Sequence, residues 1–226
     1  MMEIEARITN IGQIGATMAA MPVEIIGPKG VFGKLNLPQI KLQPSGTDIL
    51  ITPQKIDIID HDAFQAFVKS IQLDERTSLT LYNPEAKVSA MLMSTTANFS
   101  KTVEMAGMNG PKIKLTKTKA EGKADGAFVN TIVITNPSPL EIFIPQSIFQ
   151  YVDEIGTVVA EQYGEFNITR GESSHDLPGK ITAGRAQGQI SLKGKDVVAD
   201  SWMKTTIKYF DTKVNLTPVL AGMITL

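Results

Sequence analysis

The sequence predicts a mostly β protein: two tandem β-sandwich domains of fibronectin-III- or immunoglobulin-like architecture, each with one short helix late in the domain. Three observations carry this. Apolar and polar residues alternate through most of the chain, which is the period of half-buried strands. The alternation yields twice to a helical period. The pattern also repeats, because ARITNIGQIGATM near the start returns as VNTIVITNPSPLEIFI, with Thr9-Asn10 and Thr135-Asn136 126 residues apart. A chain of 226 residues makes two units of ordinary domain size and buries roughly 70% of its extended surface. The expected domains are 1–108 and 109–226.

In the first copy, GKLNLPQIKLQ places Leu35, Leu37, Ile40 and Leu42 in two alternating runs around Pro38, and Ile49, Ile51, Ile56 and Ile58 continue them. Phe64, Phe67, Val68 and Ile71 then fall at i, i+3, i+4 and i+7, one apolar helix face, with Asp62 placed to cap it. Strands resume in TSLTLYNPEAKVSAMLMSTTANF, with a turn expected at Asn83-Pro84. AGMNGPK reads as punctuation between the copies.

In the second copy, the same offset lays Gly30 on Gly156, Leu37 on Tyr163, Ile40 on Phe166 and Leu42 on Ile168. About a dozen extra residues are expected around GESSHDLPGKITAGRAQG. Met203, Thr206, Ile207 and Phe210 then repeat the helix spacing, with Ser201 as the cap. KVNLTPVLAGMITL reads as a closing strand matching TSLTLYNPEAKVSAML. Copy two has IKLTKTKAEGKAD ahead of its match where copy one has only MMEIEAR, so copy one is expected to lack a first strand.

Strands ending in ITNPSPLEIFI resemble the type-2 late-embryogenesis-abundant (LEA-2) fold, the water-stress and hypersensitive-response (WHy) domain, in which an Asn-Pro step follows the first long strand. GPKGVFGKLNLPQIKL with ITPQKIDIIDHDAFQAFVKSI resembles an uncharacterised domain family of fungal membrane-anchored proteins, where such sandwiches stand in tandem behind one transmembrane helix. Copy one departs from the pattern by carrying Asn10-Ile11 where copy two has Asn136-Pro137. The resemblance implies a luminal, vacuolar or cell-surface module, a soluble fragment of an anchored protein, with lipid or another apolar ligand as its partner and membrane association through a segment absent from this chain.

The residues themselves point to no reaction. Without cysteine there is neither a disulfide nor thiolate chemistry. His61 stands among Asp57, Asp60 and Asp62, but acids at a helix start answer the helix dipole without a cation. Ser173, Ser174, His175 and Asp176 hold the residue types of a hydrolase triad, yet neighbours on an extended chain point apart, so a polar loop is expected. GPKGVFGK has five residues between Gly27 and Gly33, and Leu35 follows Lys34, which fails the phosphate-loop pattern twice. No enzyme activity, cofactor or metal is expected.

A net charge of −1 gives no field for nucleic acid. The exception is local: Lys112, Lys114, Lys117, Lys119 and Lys123 line one strand, where lysine serves as edge protection before it serves a polyanion. Three sequons, at Asn98, Asn167 and Asn215, exceed the roughly one expected by chance and are candidate glycosylation sites.

A non-catalytic binding module is therefore expected, with Met18, Met21, Phe64, Phe67, Met91, Met93, Trp202 and Phe210 as candidate apolar lining. Phe64 and Trp202, which open the two helices, also read as core. The alternative is a scaffold that recruits a protein partner at a strand edge, either the lysine strand or VNTIVITN.

Overall fold

A computed structural model describes residues 2–9, 12–122 and 126–225. The protein is mostly β, and among the described residues every strand pair with a defined register is antiparallel. The chain divides into two compact units, Met1–Phe67 with Ser78–Glu104 and Val68–Thr77 with Met105–Leu226.

In the first unit, β1 (Met2–Ile8) pairs with β6 (Thr47–Gln54). The larger sheet contains β2 (Ala16–Met18), β3 (Met21–Gly27), β4 (Gly30–Leu37), β5 (Ile40–Leu42), β7 (Asp57–Ile58), β8 (Arg76–Ala90) and β9 (Met93–Ala106). β2 and β3 are one interrupted strand along β8. Thr17 lies opposite Ser89 and Glu24 opposite Tyr82, so the register carries across the break. β4 and β5 are likewise interrupted at Pro38. Proline lacks the ladder's N–H donor, which explains the break. Met21, Val23, Ile25, Phe32, Leu35, Leu37, Leu79 and Leu81 form the buried faces.

Asn83-Pro84 makes no turn, and β8 runs straight through it. Asn83 Nδ2 donates to the Pro22 carbonyl at 2.6 Å, supplying beside the two prolines a donor that their own nitrogens lack.

α1 (His61–Leu73) stands where the helical period placed it. Its cap is Asp60, not Asp62: Asp60 Oδ1 accepts the Ala63 N–H at 2.9 Å. A cap must lie outside the first turn to reach back to it, and Asp62 is already helical. Asp60→Ala should cost about 1 kcal/mol in chemical denaturation and Asp62→Ala much less. Phe67 stacks on Phe32 with ring centroids 4.9 Å apart, and Phe64 tilts against Phe32 at 5.8 Å, which fixes this end of the helix over β4.

The second unit is one seven-stranded sheet in the order β10 (Lys112–Ala120), β11 (Ala127–Asn136), β14 (Gly171–Ile181), β13 (Val158–Ile168), β12 (Ile142–Val152), β15 (Ile190–Val197), β16 (Asp211–Val214). β13 and β14 are joined by a short turn but pair only at the strand ends farthest from it, Ala160–Gln162 with Gly179–Ile181. There the sheet folds back on itself. Its terminal strands β10 and β16 approach one another, and a single core forms between two sandwich-like layers. α2 (Met203–Thr206) runs on into a 3-10 turn at Ile207–Tyr209, and α3 (Pro218–Thr225) packs against β10.

The repeat extends to the hydrogen-bond register. Ile8 faces Thr47 and Ile4 faces Ile51 in the first unit; Ile134 faces Ser173 and Asn130 faces Leu177 in the second, each shifted by 126 (Ile8 to Ile134, Thr47 to Ser173). Ala16–Leu42 and Met18–Ile40 return as Ile142–Ile168 and Ile144–Phe166. Asn10, in the motif that first showed the repeat, lies outside the described residues, as does Lys123.

Three expectations about the second copy need correction. The first eleven residues of the expected insertion are strand β14, the counterpart of β6, so Ser173–Asp176 is strand and not loop. β15 pairs with β12 before the helix, whereas β8 pairs with β3 after it, so strand order diverges in the last third. The closing strand is only β16, and α3 replaces the rest. Thr217 Oγ1 accepts the Leu220 N–H at 3.2 Å, Pro218 opens the first turn, and Leu220 and Ile224 bury one face.

Candidate ligand surface

The candidate lining residues separate by depth. Met18, Met21, Phe67 and Phe210 are buried in the cores. Phe64 is half-buried against Phe32. Trp202 is 40% exposed, contrary to its reading as core, because helical structure begins one residue later and the core-facing position falls to Met203. Met91 and Met93 are 72% and 75% exposed.

Phe64 and Phe67 meet on Phe32 inside the first unit, and of the exposed candidates Met91 and Met93 come together. Met91 and Leu92 form the β8–β9 turn and Met93 opens β9, and the Leu92 side chain is wholly exposed. Met91 adopts φ 49°, a left-handed conformation uncommon for a residue with a side chain. Beside the turn lies an open concavity of about 520 Å³ lined by Gly15–Thr17, Lys41, Leu42 and Ser89–Ser94. Among the described residues, Lys41 is its only charged side chain. Ile14, next to Gly15, is 53% exposed. Ile14, Leu92 and Lys41 escaped the sequence reading. Their one signal was the break in alternation at Ala90-Met91-Leu92-Met93, in a turn with no glycine, proline or asparagine.

The strand edges are also resolved. β11 is paired on both sides, by β10 and β14, so VNTIVITN offers no free edge. β10 is an edge, and its Lys112, Lys114, Lys117 and Lys119 are all exposed. β9 is an edge of 14 residues paired only to β8 and exposed along nearly its whole length on both faces. It carries just Lys101 and Glu104 as charges.

Among the described residues, no three His, Asp or Glu side chains are grouped so as to hold a metal ion, around His61 or elsewhere. Ser173 and His175 turn inward on β14, with Ser173 Oγ and His175 Nε2 lacking hydrogen-bond partners, while Asp176 turns outward to accept from Thr131 Oγ1 at 2.6 Å. GPKGVFGK is the β3–β4 hairpin, Gly27 facing Gly30. Asn98, Asn167 and Asn215 are all exposed. Among the described residues, no helix is long and apolar enough to cross a membrane.

Fold and surface together define a mostly β protein built on an internal repeat, with an apolar turn at one end of its first large sheet. The chain belongs to the family described as Protein of unknown function (DUF3712), whose model matches residues 30–151, from β4 into β12. No curated protein matches it. Among solved structures it is similar to the calcium-binding domain CBD12 of CALX1.1, at 12% identity and TM-score 0.26 over 91% of this chain and 79% of that one. It is also similar to the CsuC-CsuE chaperone-tip adhesion subunit complex from Acinetobacter baumannii, at 8% identity and TM-score 0.21 over 94% of this chain and 90% of that one.

Proposed function

We propose that this protein is a non-catalytic binding module, LEA-2-like in kind, displayed on the luminal or outer side of a membrane and engaging a lipid or other apolar ligand. The exposed run Met91-Leu92-Met93 is the observation that favours it. Folded proteins rarely leave three consecutive large apolar side chains in water without a use for them. Covering each contributes about 1.5–3 kcal/mol before ordering costs. The exposed sequon asparagines suit a luminal or external face. Native mass spectrometry of the purified chain, followed by organic extraction, tests the reading. A co-purifying lipid or other apolar mass is expected. A clean apo mass that survives incubation with lipid extracts overturns it.

β9 favours a second reading, a scaffold that recruits a partner strand. Edges in natural sheets are blunted by lysine, proline or a bulge. β10 follows that rule with four lysines, whereas β9 has the single lysine Lys101 along its 14 residues. Prolines at Thr95 and Thr102 should abolish capture of such a partner, and capture that persists counts against it.

A further inference from the structure

We infer that the β8–β9 turn is a bilayer-docking wedge, in which Met91, Leu92 and Met93 enter the surface of a membrane that carries anionic lipid. This rests on the apolar-ligand reading above and names its source. Shape argues for a bilayer over a single bound molecule. Leu92 is exposed at 109% of its reference area, at the extremity of a two-residue turn between strands of 15 and 14 residues. Leu92 also lines the adjoining concavity, yet its full exposure means that the concavity does not enclose it. A lipid surface surrounds it, as it surrounds the apolar side chains of interfacial segments.

Charge argues for anionic lipid. Among the described residues, Lys41 is the one charged side chain lining the concavity, and no carboxylate joins it there. Apolar side chains that enter the acyl boundary bring a neighbouring lysine to head-group depth, where it pairs with phosphate and carboxylate. Ser89, Ser94 and Thr17, which also line the concavity, add hydroxyls at the same level. The positive φ of Met91 fits this use, since it turns the chain tightly enough to leave three apolar side chains together at the extremity.

Co-sedimentation of the whole chain with vesicles tests the wedge, using phosphatidylcholine alone and with phosphatidylserine added. Binding to the phosphatidylserine vesicles is expected. Leu92→Asp should weaken it about tenfold or more, from the loss of one buried leucine. Lys41→Glu should weaken it about tenfold on phosphatidylserine and little on phosphatidylcholine. Ile155→Asp, at an exposed turn of the second unit, should leave it unchanged. Leu92→Trp in a Trp202→Phe background keeps an apolar tip and should shift its emission to the blue on adding vesicles. No vesicle binding, binding that Leu92→Asp leaves unaltered, or no blue shift overturns the wedge. Native mass spectrometry of the same preparation separates the two levels: a retained lipid without vesicle binding refutes the wedge alone, and neither refutes both.

Discussion

Asn130→Leu should lower the unfolding free energy of the second unit by roughly 3–5 kcal/mol, measured by chemical denaturation. Asn130 is wholly buried and lies in the middle of a directed chain of hydrogen bonds. Thr118 has one hydroxyl proton and gives it to Asn130 Oδ1 at 2.5 Å. Thr217 must therefore donate to Thr118, also at 2.5 Å, while Thr217 accepts from the Leu220 N–H. On the other side Asn130 Nδ2 donates to Tyr151 Oη at 2.8 Å, and Tyr151 donates to Gln162 Oε1 at 2.6 Å. One side chain thus joins β10, β11, β12, β13 and the start of α3. Leucine matches its branching but is larger, and it leaves buried groups on both sides without their partner, each costing about 1–3 kcal/mol.

Tyr151→Phe should cost less and change the pH dependence. Burial pushes the Tyr151 phenol well above its ordinary value, with the Asn130 bond pulling weakly the other way. The fold holds the neutral phenol. Its contribution is complete below the unfolded value near 10 and is lost as pH rises above it. The wild type should lose stability there, and the phenylalanine variant should lose less.

This network was not legible in the sequence, because Asn130 and Thr118 occupy ordinary positions in alternating strands and polar residues inside a sandwich share the period of apolar ones. What the period did convey was the opening strands of each copy. A two-residue alternation fixes which face is buried, and the offset of 126 that laid Ile40 on Phe166 and Leu42 on Ile168 agrees with the registers Ala16–Leu42 and Ile142–Ile168. The last third depends on which side of a helix the next strand falls, and no local pattern encodes that. Two signals misled for physical reasons. Asn83-Pro84 looks like a turn, but the Asn83 amide replaces the missing ladder donor and the strand continues. Thr217-Pro218 is a helix start by capping chemistry, and matching it to a strand of the first copy concealed that. The apolar turn was hidden because Met91 and Leu92 are residues that more often fill cores.

Gly194→Ala should destabilise the second unit by about 4 kcal/mol or more, a large fraction of an ordinary domain's stability. Gly194 has no left-handed backbone to protect. The constraint is space, since a Cβ there would overlap the Ile207 carbonyl oxygen, which is backbone and has little freedom to retreat. The approach is fixed by the Gly194 N–H, which donates to the Phe210 carbonyl at 2.7 Å and holds the 3-10 turn against β15. Gly222→Ala in α3 meets nothing within 4 Å and should instead stabilise by about 0.5–1 kcal/mol, which controls for the loss of glycine as such. The comparison also bears on where a ligand can enter. Met203, Ile207 and Phe210 are sealed because β15 and the turn touch through a residue without a side chain. Forcing them apart should raise binding of a hydrophobic dye in the variant. In the wild type, dye binding should instead respond to Leu92→Asp, because that closed helix leaves the exposed apolar turn of the first unit as the better-placed surface.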